Sequence, residues 1–183
     1  MIITITGKPC SSKSSVGKLF AKKHGFKFLS TGEMVRKASV EMGFGDILSM
    51  QKSENIKKVD AIVDGKIEAL GKKKLKDDII IDSRLAWHFI PKSFKVFLDV
   101  DWDIAAERLL GADRETEKVK SKAQAKRVLK QRWQVENARY SELYKVDNLN
   151  LYNYNLVVST NNKTIEEIVE IIYDEYKRFM QNA

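Results

Sequence analysis

Apolar residues in this chain come in two patterns: short continuous runs, and longer stretches in which they recur every three or four positions. Ile2-Ile3-Thr4-Ile5-Thr6 is β-branched throughout and reads as a first buried strand. Val16, Leu19 and Phe20 then follow at helical spacing after Lys13. Lys27-Phe28-Leu29 is a short second strand, and Ser30-Thr31-Gly32-Glu33 opens a helix carrying Met34, Val35 and Arg36 in its first turn. Residues 40 to 76 hold helical stretches of weak amphipathicity, with Val59, Ile62, Val63, Ile67 and Leu70, and no strand pattern. Ile79-Ile80-Ile81-Asp82 and Phe94-Lys95-Val96-Phe97-Leu98-Asp99 are continuous apolar runs of the kind that fill central parallel strands, and each ends in a carboxylate. A helical pattern from about Ala123 to Tyr144 precedes a fifth strand at Tyr154-Asn155-Leu156-Val157-Val158. Ile165, Ile168, Val169 and Ile172 lie on a closing amphipathic helix.

Five short strands alternating with helices predict an α/β fold: a parallel sheet, right-handed crossovers and helices on both faces. In such a sheet a ligand lies beyond the carboxyl ends of the strands. The loop after the first strand, Thr31, Asp82 and Asp99 all fall there. No internal repeat, Pro/Gly linker or low-complexity tract divides the chain, so residues 1–183 are expected to form one domain.

Composition narrows this picture only a little. The 183 residues are 43% hydrophobic, enough for a sizeable core. No run of about 18 apolar residues occurs, and the amino terminus enters a strand directly; neither a membrane span nor a signal peptide is expected. The single cysteine, Cys10, excludes an internal disulfide framework and fits a reducing compartment, the cytoplasm. A net charge of +8 suits a nucleic-acid binder and equally a cleft for polyphosphates.

The chemistry concentrates after the first strand. Gly7, Lys13 and Ser14 stand at the spacing of the phosphate-binding pattern G-x-x-x-x-G-K-[ST], with Ser12 where its second glycine belongs. A loop of this kind, here Gly7-Lys8-Pro9-Cys10-Ser11-Ser12-Lys13-Ser14-Ser15, turns backbone N–H groups and a helix N-terminus toward phosphate oxygens. It adds one ammonium and one hydroxyl for Mg²⁺. Ser11, Ser12 and Ser14 could instead simply cap the next helix, but a cap explains neither Gly7 nor the preceding strand. If φ at Ser12 must be positive, a side chain there is strained.

Phosphoryl transfer needs positive charge around the moving group and little covalent chemistry from the protein. Arg36 follows Ser30-Thr31-Gly32, Arg84 follows Asp82-Ser83, and Arg108 and Arg114 bracket Leu109-Leu110-Gly111. Arg132 and Arg139 are seven apart, two helical turns, so they share one face with Glu136 between them. Alone, that pair reads as ordinary solvated charge pairing; the other arginines, placed just after strand ends or in the long charged segment, favour a site. Asp82 could orient a Mg²⁺-bound water or hold Ser14, or cap the turn that follows it. Asp60 and Asp64 share a helical face and could hold a base or sugar, or pair with nearby lysines. Trp87, His88 and Phe89 read as core or cleft lining, and two histidines with one cysteine make no zinc site.

Taken together, the phosphate loop, Ser30-Thr31-Gly32-Glu33-Met34-Val35-Arg36, Glu107-Arg108-Leu109-Leu110-Gly111 and the Arg132 to Arg139 stretch resemble the nucleoside monophosphate kinases of adenylate kinase architecture. Within that family the chain is most similar to short cytidylate kinases of the archaeal type. Asp82-Ser83-Arg84-Leu85-Ala86-Trp87, Arg132-x-x-x-Glu136-x-x-Arg139-Tyr140 and Tyr154-Asn155-Leu156-Val157-Val158-Ser159-Thr160 carry that likeness. The resemblance spans nearly the whole chain and implies a P-loop NTPase-type three-layer α/β/α core. It further implies a helical acceptor-nucleotide insertion near residues 31–75 and a short lid near 111–122.

By motif match it assigns Lys13 to the β- and γ-phosphates of ATP, Ser14 to Mg²⁺, and Arg36 and Arg84 to the acceptor phosphate. Arg108 would lie against the donor adenine, with Arg114, Arg132 and Arg139 reaching the transferring phosphoryl group. Thr31, Asp60, Asp64 and Arg139 complete the expected acceptor site. Members of the family carry glycines where Cys10 and Ser12 stand, Asp-Gly-Arg or Glu-Gly-Arg at Asp82-Ser83-Arg84, and an arginine where this chain has Ala112.

The activity expected is transfer from ATP with Mg²⁺ to CMP or dCMP in a monomer that binds small nucleotides. Alternatives are another small acceptor on the same fold, or a nucleotide-binding module of weakened catalysis that contacts RNA. Against RNA, the arginines fall at cleft positions, and no basic surface interleaved with aromatics stands out.

Overall fold

The computed structural model describes residues 1–41, 43, 55–111 and 119–182. Five strands form one sheet: β1 (Ile2–Gly7), β2 (Lys27–Ser30), β3 (Ile79–Asp82), β4 (Phe94–Asp99) and β5 (Leu156–Ser159). Their order is β2-β3-β1-β4-β5, and every pairing is parallel. β1 and β3 are flanked on both sides within the sheet and covered on both faces, which is why they read as unbroken β-branched runs. Register sets Ile5 beside Asp82 and Gly7 beside Leu98, so at the carboxyl edge β3 stops short of β1 and β4 runs slightly past it.

Helices cover both faces. On one face α1 (Lys13–His24) and the last helix, α7 (Ile165–Gln181), lay Val16, Phe20, Ile168, Val169 and Ile172 over Ile3, Ile5, Ile80, Val96 and Leu98. α7 starts at a capping box, Thr164 and Glu167 each bonding the other's backbone N–H. The opposite face carries α3 (Asn55–Gly71), the short α4 (Ala86–Phe89) and α6 (Lys122–Tyr144). There Trp87, Trp133, Tyr140 and Tyr154 pack beside Phe97, while Ile67 covers Ile81. α2 (Thr31–Glu41) packs Met34 and Val35 against Ile56, Val59 and Val63 of α3, and α5 (Trp102–Leu110) lies along α6. This is the three-layer α/β/α arrangement.

Two elements differ in detail from the sequence reading. β5 starts at Leu156, because a 3₁₀ turn at Leu151–Asn153 diverts Tyr154 into the core, where its hydroxyl donates to the Asn148 carbonyl at 3.0 Å. Ile62 is exposed at 55%; the buried stripe of α3 is Ile56, Val59, Val63 and Ile67, following the 3.6 period. Among the described residues, no helix is long and apolar enough to cross a membrane.

Candidate active site

The loop between β1 and α1 wraps the carboxyl end of the sheet. A Cβ on Gly7, whose φ is +139°, would lie 2.0 Å from the Leu98 carbonyl oxygen, so no other residue fits beside β4. Cys10 and Ser12 both take left-handed backbone, with φ of 59° and 65°. Ser12 precedes α1 without making a side-chain capping bond, which sets aside the reading of these serines as caps. The backbone here is bent by demand of the turn, at a cost that glycine would avoid.

Lys13 is bound into this turn. Its ammonium donates to the Lys8 carbonyl at 2.6 Å and approaches Ser11 Oγ at 3.3 Å. Desolvation in the cleft, and then the neighbouring Arg84 cation, lower its pKa to about 7. Ser14 Oγ donates to Asp82 Oδ2 at 2.5 Å, and Thr31 Oγ1 meets the Asp82 carbonyl at 3.3 Å. Lys8 itself turns away, pairing with Asp99 at 2.7 Å and the Val100 carbonyl at 3.2 Å.

Opposite the loop, α6 presents Arg132, Glu136 and Arg139. Glu136 is buried and receives Arg84 Nε on one oxygen at 3.0 Å and Arg132 Nε on the other at 2.9 Å. Burial would raise its carboxyl, but the Arg84 and Arg132 guanidiniums outweigh this and hold it at about 2. Arg84 also donates to the Gly7 carbonyl and lies 5.5 Å from the Trp133 ring centroid. Arg139 pairs with Asp60 at 3.0 Å, both nearly buried, and one turn further along α3 Asp64 accepts from the Tyr144 hydroxyl at 2.6 Å. Desolvation raises both carboxyls, Asp64 to about 6.

These groups line one cleft of about 490 Å³. Pro9, Cys10, Ser12, Lys13, Ser14 and Ser15 form one wall. Thr31, Arg36, Asp60, Asp64, Asp82, Arg84, Arg132 and Arg139 complete it. Gly7, Lys8 and Ser11 shape the loop from behind. Arg108 lies outside the cleft, bracing the loop through the Cys10 carbonyl at 3.1 Å and Thr160 at 2.8 and 3.0 Å. Arg114 and Ala112 lie outside the described residues, as does most of the expected lid.

The sequence reading missed the weight of Glu136, whose signal was its position four residues after Arg132 on the same face. It also missed Tyr144 and the Lys8–Asp99 pair, which no spacing could join. Among the described residues, no cluster of three or more His, Cys, Asp or Glu side chains could cage a metal. The oxygen pair of Ser14 and Asp82 suits a hard cation that keeps most of its ligands from phosphate and water.

Residues 2–162 match the profile of the cytidylate kinase-like family. A cytidylate kinase of Methanocella arvoryzae is 29% identical, over 97% of this chain and 99% of that protein. An S-adenosylmethionine-dependent nucleotide dehydratase of Lacinutrix mariniflava is 31% identical over 96% of this chain, which spans only 36% of that protein's length. Among solved structures, a shikimate kinase from Bacteroides thetaiotaomicron superposes with a TM-score of 0.64 at 15% identity, covering 97% of this chain and 98% of that one. That likeness speaks for the fold.

Proposed function

The chain belongs to the cytidylate kinase-like family, and from that premise we propose that it transfers the γ-phosphoryl group of ATP to a pyrimidine nucleoside monophosphate, with CMP and dCMP as preferred acceptors. One observation carries the reading: a phosphate loop and three guanidiniums from two other segments, Arg84 from the turn after β3 and Arg132 and Arg139 from α6, line the same cleft. In transfer, an oxygen of the acceptor phosphate bonds the γ-phosphorus of ATP as the bond to the bridging oxygen of ADP breaks. The protein's task is to hold both phosphates in line and to match the charge they carry.

In this scheme Lys13 leaves the Lys8 carbonyl to bridge the β- and γ-phosphates, and the loop N–H groups hold the remaining oxygens. Ser14 and Asp82 fit Mg²⁺, which would neutralise phosphate charge. Arg36 and Arg84 clamp the acceptor phosphate, while Arg132 and Arg139, with Arg114 from outside the described residues, face the transferring group. Glu136 fixes the Arg84 and Arg132 guanidiniums before substrate arrives, so less ordering is left for the reaction. Arg108 holds the far side of the loop near the donor adenine. Thr31, Asp60 and Asp64 line the acceptor end.

A nucleotide acceptor is preferred over a shikimate-like alcohol, because similarity of sequence runs to nucleotide-named proteins while the shikimate kinases share the fold. The left-handed Cys10 and Ser12 favour slow turnover as the second reading, a nucleotide-binding module. Incubation with ATP, Mg²⁺ and a panel of nucleoside monophosphates tests the assignment: ADP and CDP are expected to form together. Absence of diphosphate from every acceptor would leave the binding module. Arg84→Ala is expected to raise the KM for CMP by at least tenfold, and an unchanged acceptor dependence would remove it from the clamp.

A further inference from the structure

The acceptor end of the cleft is built differently from its phosphate end. Val35, Ile56, Val63 and Tyr140 make apolar walls there, and two carboxylates of α3 face the space between. The carboxylates are not equivalent. Asp60 is held charge to charge by Arg139 at 3.0 Å. Asp64, one helical turn on, is held only by a neutral group: Tyr144 donates to Oδ2 at 2.6 Å, and among the described residues no hydrogen bond reaches Oδ1. Tyr144 lies five residues beyond Arg139 on α6, about 7.5 Å along the helix axis. A flat ring whose phosphate sits at the guanidiniums would therefore lie between the apolar walls with its far edge toward Asp64.

We infer that Asp64 reads the exocyclic amine of the acceptor base: its Oδ1 accepts the N4–H of a cytosine, and it disfavours a uracil. The inference rests on the cleft being the acceptor site of the kinase proposed above. Cytosine presents an amine at its fourth ring position, for which a carboxylate is the matching acceptor. Uracil presents a carbonyl oxygen at the same place. Two acceptors then face each other, both partly out of water and neither bonded, and a buried polar group left unpaired is penalised more heavily than a made bond is rewarded. Asp60 cannot do this work while Arg139 neutralises it. Partial burial raises the Asp64 carboxyl to about 6, opposed by the Tyr144 bond, so at neutral pH it is a charged acceptor with one oxygen to spare.

Steady-state phosphorylation of three acceptors by the unaltered protein tests this: CMP, UMP and the monophosphate of 2-pyrimidinone riboside, which has hydrogen in place of the amine. CMP is expected to exceed both others in kcat/KM by about 100-fold. Asp64→Asn, whose amide can donate to a carbonyl, is expected to lower the CMP-to-UMP ratio at least tenfold, with the KM for ATP as the control for an intact donor site. An amine-free analogue used as well as CMP would overturn the inference, even if Asp64→Asn failed to fold. So would an unchanged CMP-to-UMP ratio in a folded Asp64→Asn. If no acceptor at all gave a diphosphate, the kinase reading would fall and this inference with it; turnover of CMP without discrimination defeats the inference alone.

Discussion

An ammonium brought down to about 7 is destabilising where it sits, and Lys13 is such a group. Between about 7 and its ordinary 10.5 the unfolded chain holds a proton that the folded chain has released, so folding stability rises with pH across that window. Lys13→Met removes the penalty. Its melting temperature is expected to exceed that of the unaltered protein by a few degrees below pH 7, with the gap closing toward pH 10.5, while kcat falls about 10²–10³-fold. A gap independent of pH would show that this ammonium is not perturbed. Glu136 has the opposite sign. Its carboxylate stabilises the fold fully above about 4.5, and that contribution is lost as pH falls toward about 2. Glu136→Gln is expected to cost about 3 kcal/mol in urea unfolding at neutral pH, because Arg84 and Arg132 lose the anion they share. The difference should shrink below pH 4.5. Lys13 was legible from its spacing to Gly7; the weight of Glu136 was not, since a glutamate four residues from an arginine is ordinary on any helix.

At the level of elements, the β1–loop–α1 unit carries the argument. Its strand and helix were readable because a β-branched run and an apolar 3.6 period are local signals, and Gly7 because the pattern demands it. What the pattern could not state is the conformation of the residues that break it. Cys10 and Ser12 both adopt positive φ, which identifies them as positions where the turn wants glycine. Ser12→Gly is accordingly expected to gain up to about 1 kcal/mol, seen as a rise in melting temperature of roughly 2–4 °C, without loss of kcat. A lower melting temperature would mean that the serine side chain contributes something the turn needs. The start of β5 and the exposure of Ile62 were misread for one reason. Which side of a short apolar run faces inward is decided by the neighbouring layer, and that layer is distant in sequence.

Across the whole molecule, function depends on strand order. With β1 flanked by β3 and β4, the phosphate loop, Asp82 and Asp99 emerge side by side, the turn after β3 brings Arg84 to that edge, and α6 brings Arg132 and Arg139 to it. The sequence allowed a parallel sheet with a ligand at its carboxyl edge. Only the fold places residues as far apart as Asp64 and Tyr144 in contact, and so ties α3 to α6. Part of the net charge of +8 is gathered in that cleft, where Lys13, Arg36, Arg84, Arg132 and Arg139 are among the lining residues. The central claim is that this cleft passes a phosphoryl group between two bound nucleotides. The direct measurement is transfer of label from γ-³²P-ATP to CMP in the presence of Mg²⁺, followed for the unaltered protein and for Lys13→Ala. The expected result is labelled CDP from the first and at least 100-fold less from the second. Label released only as inorganic phosphate, or labelled CDP formed equally by both proteins, would contradict it.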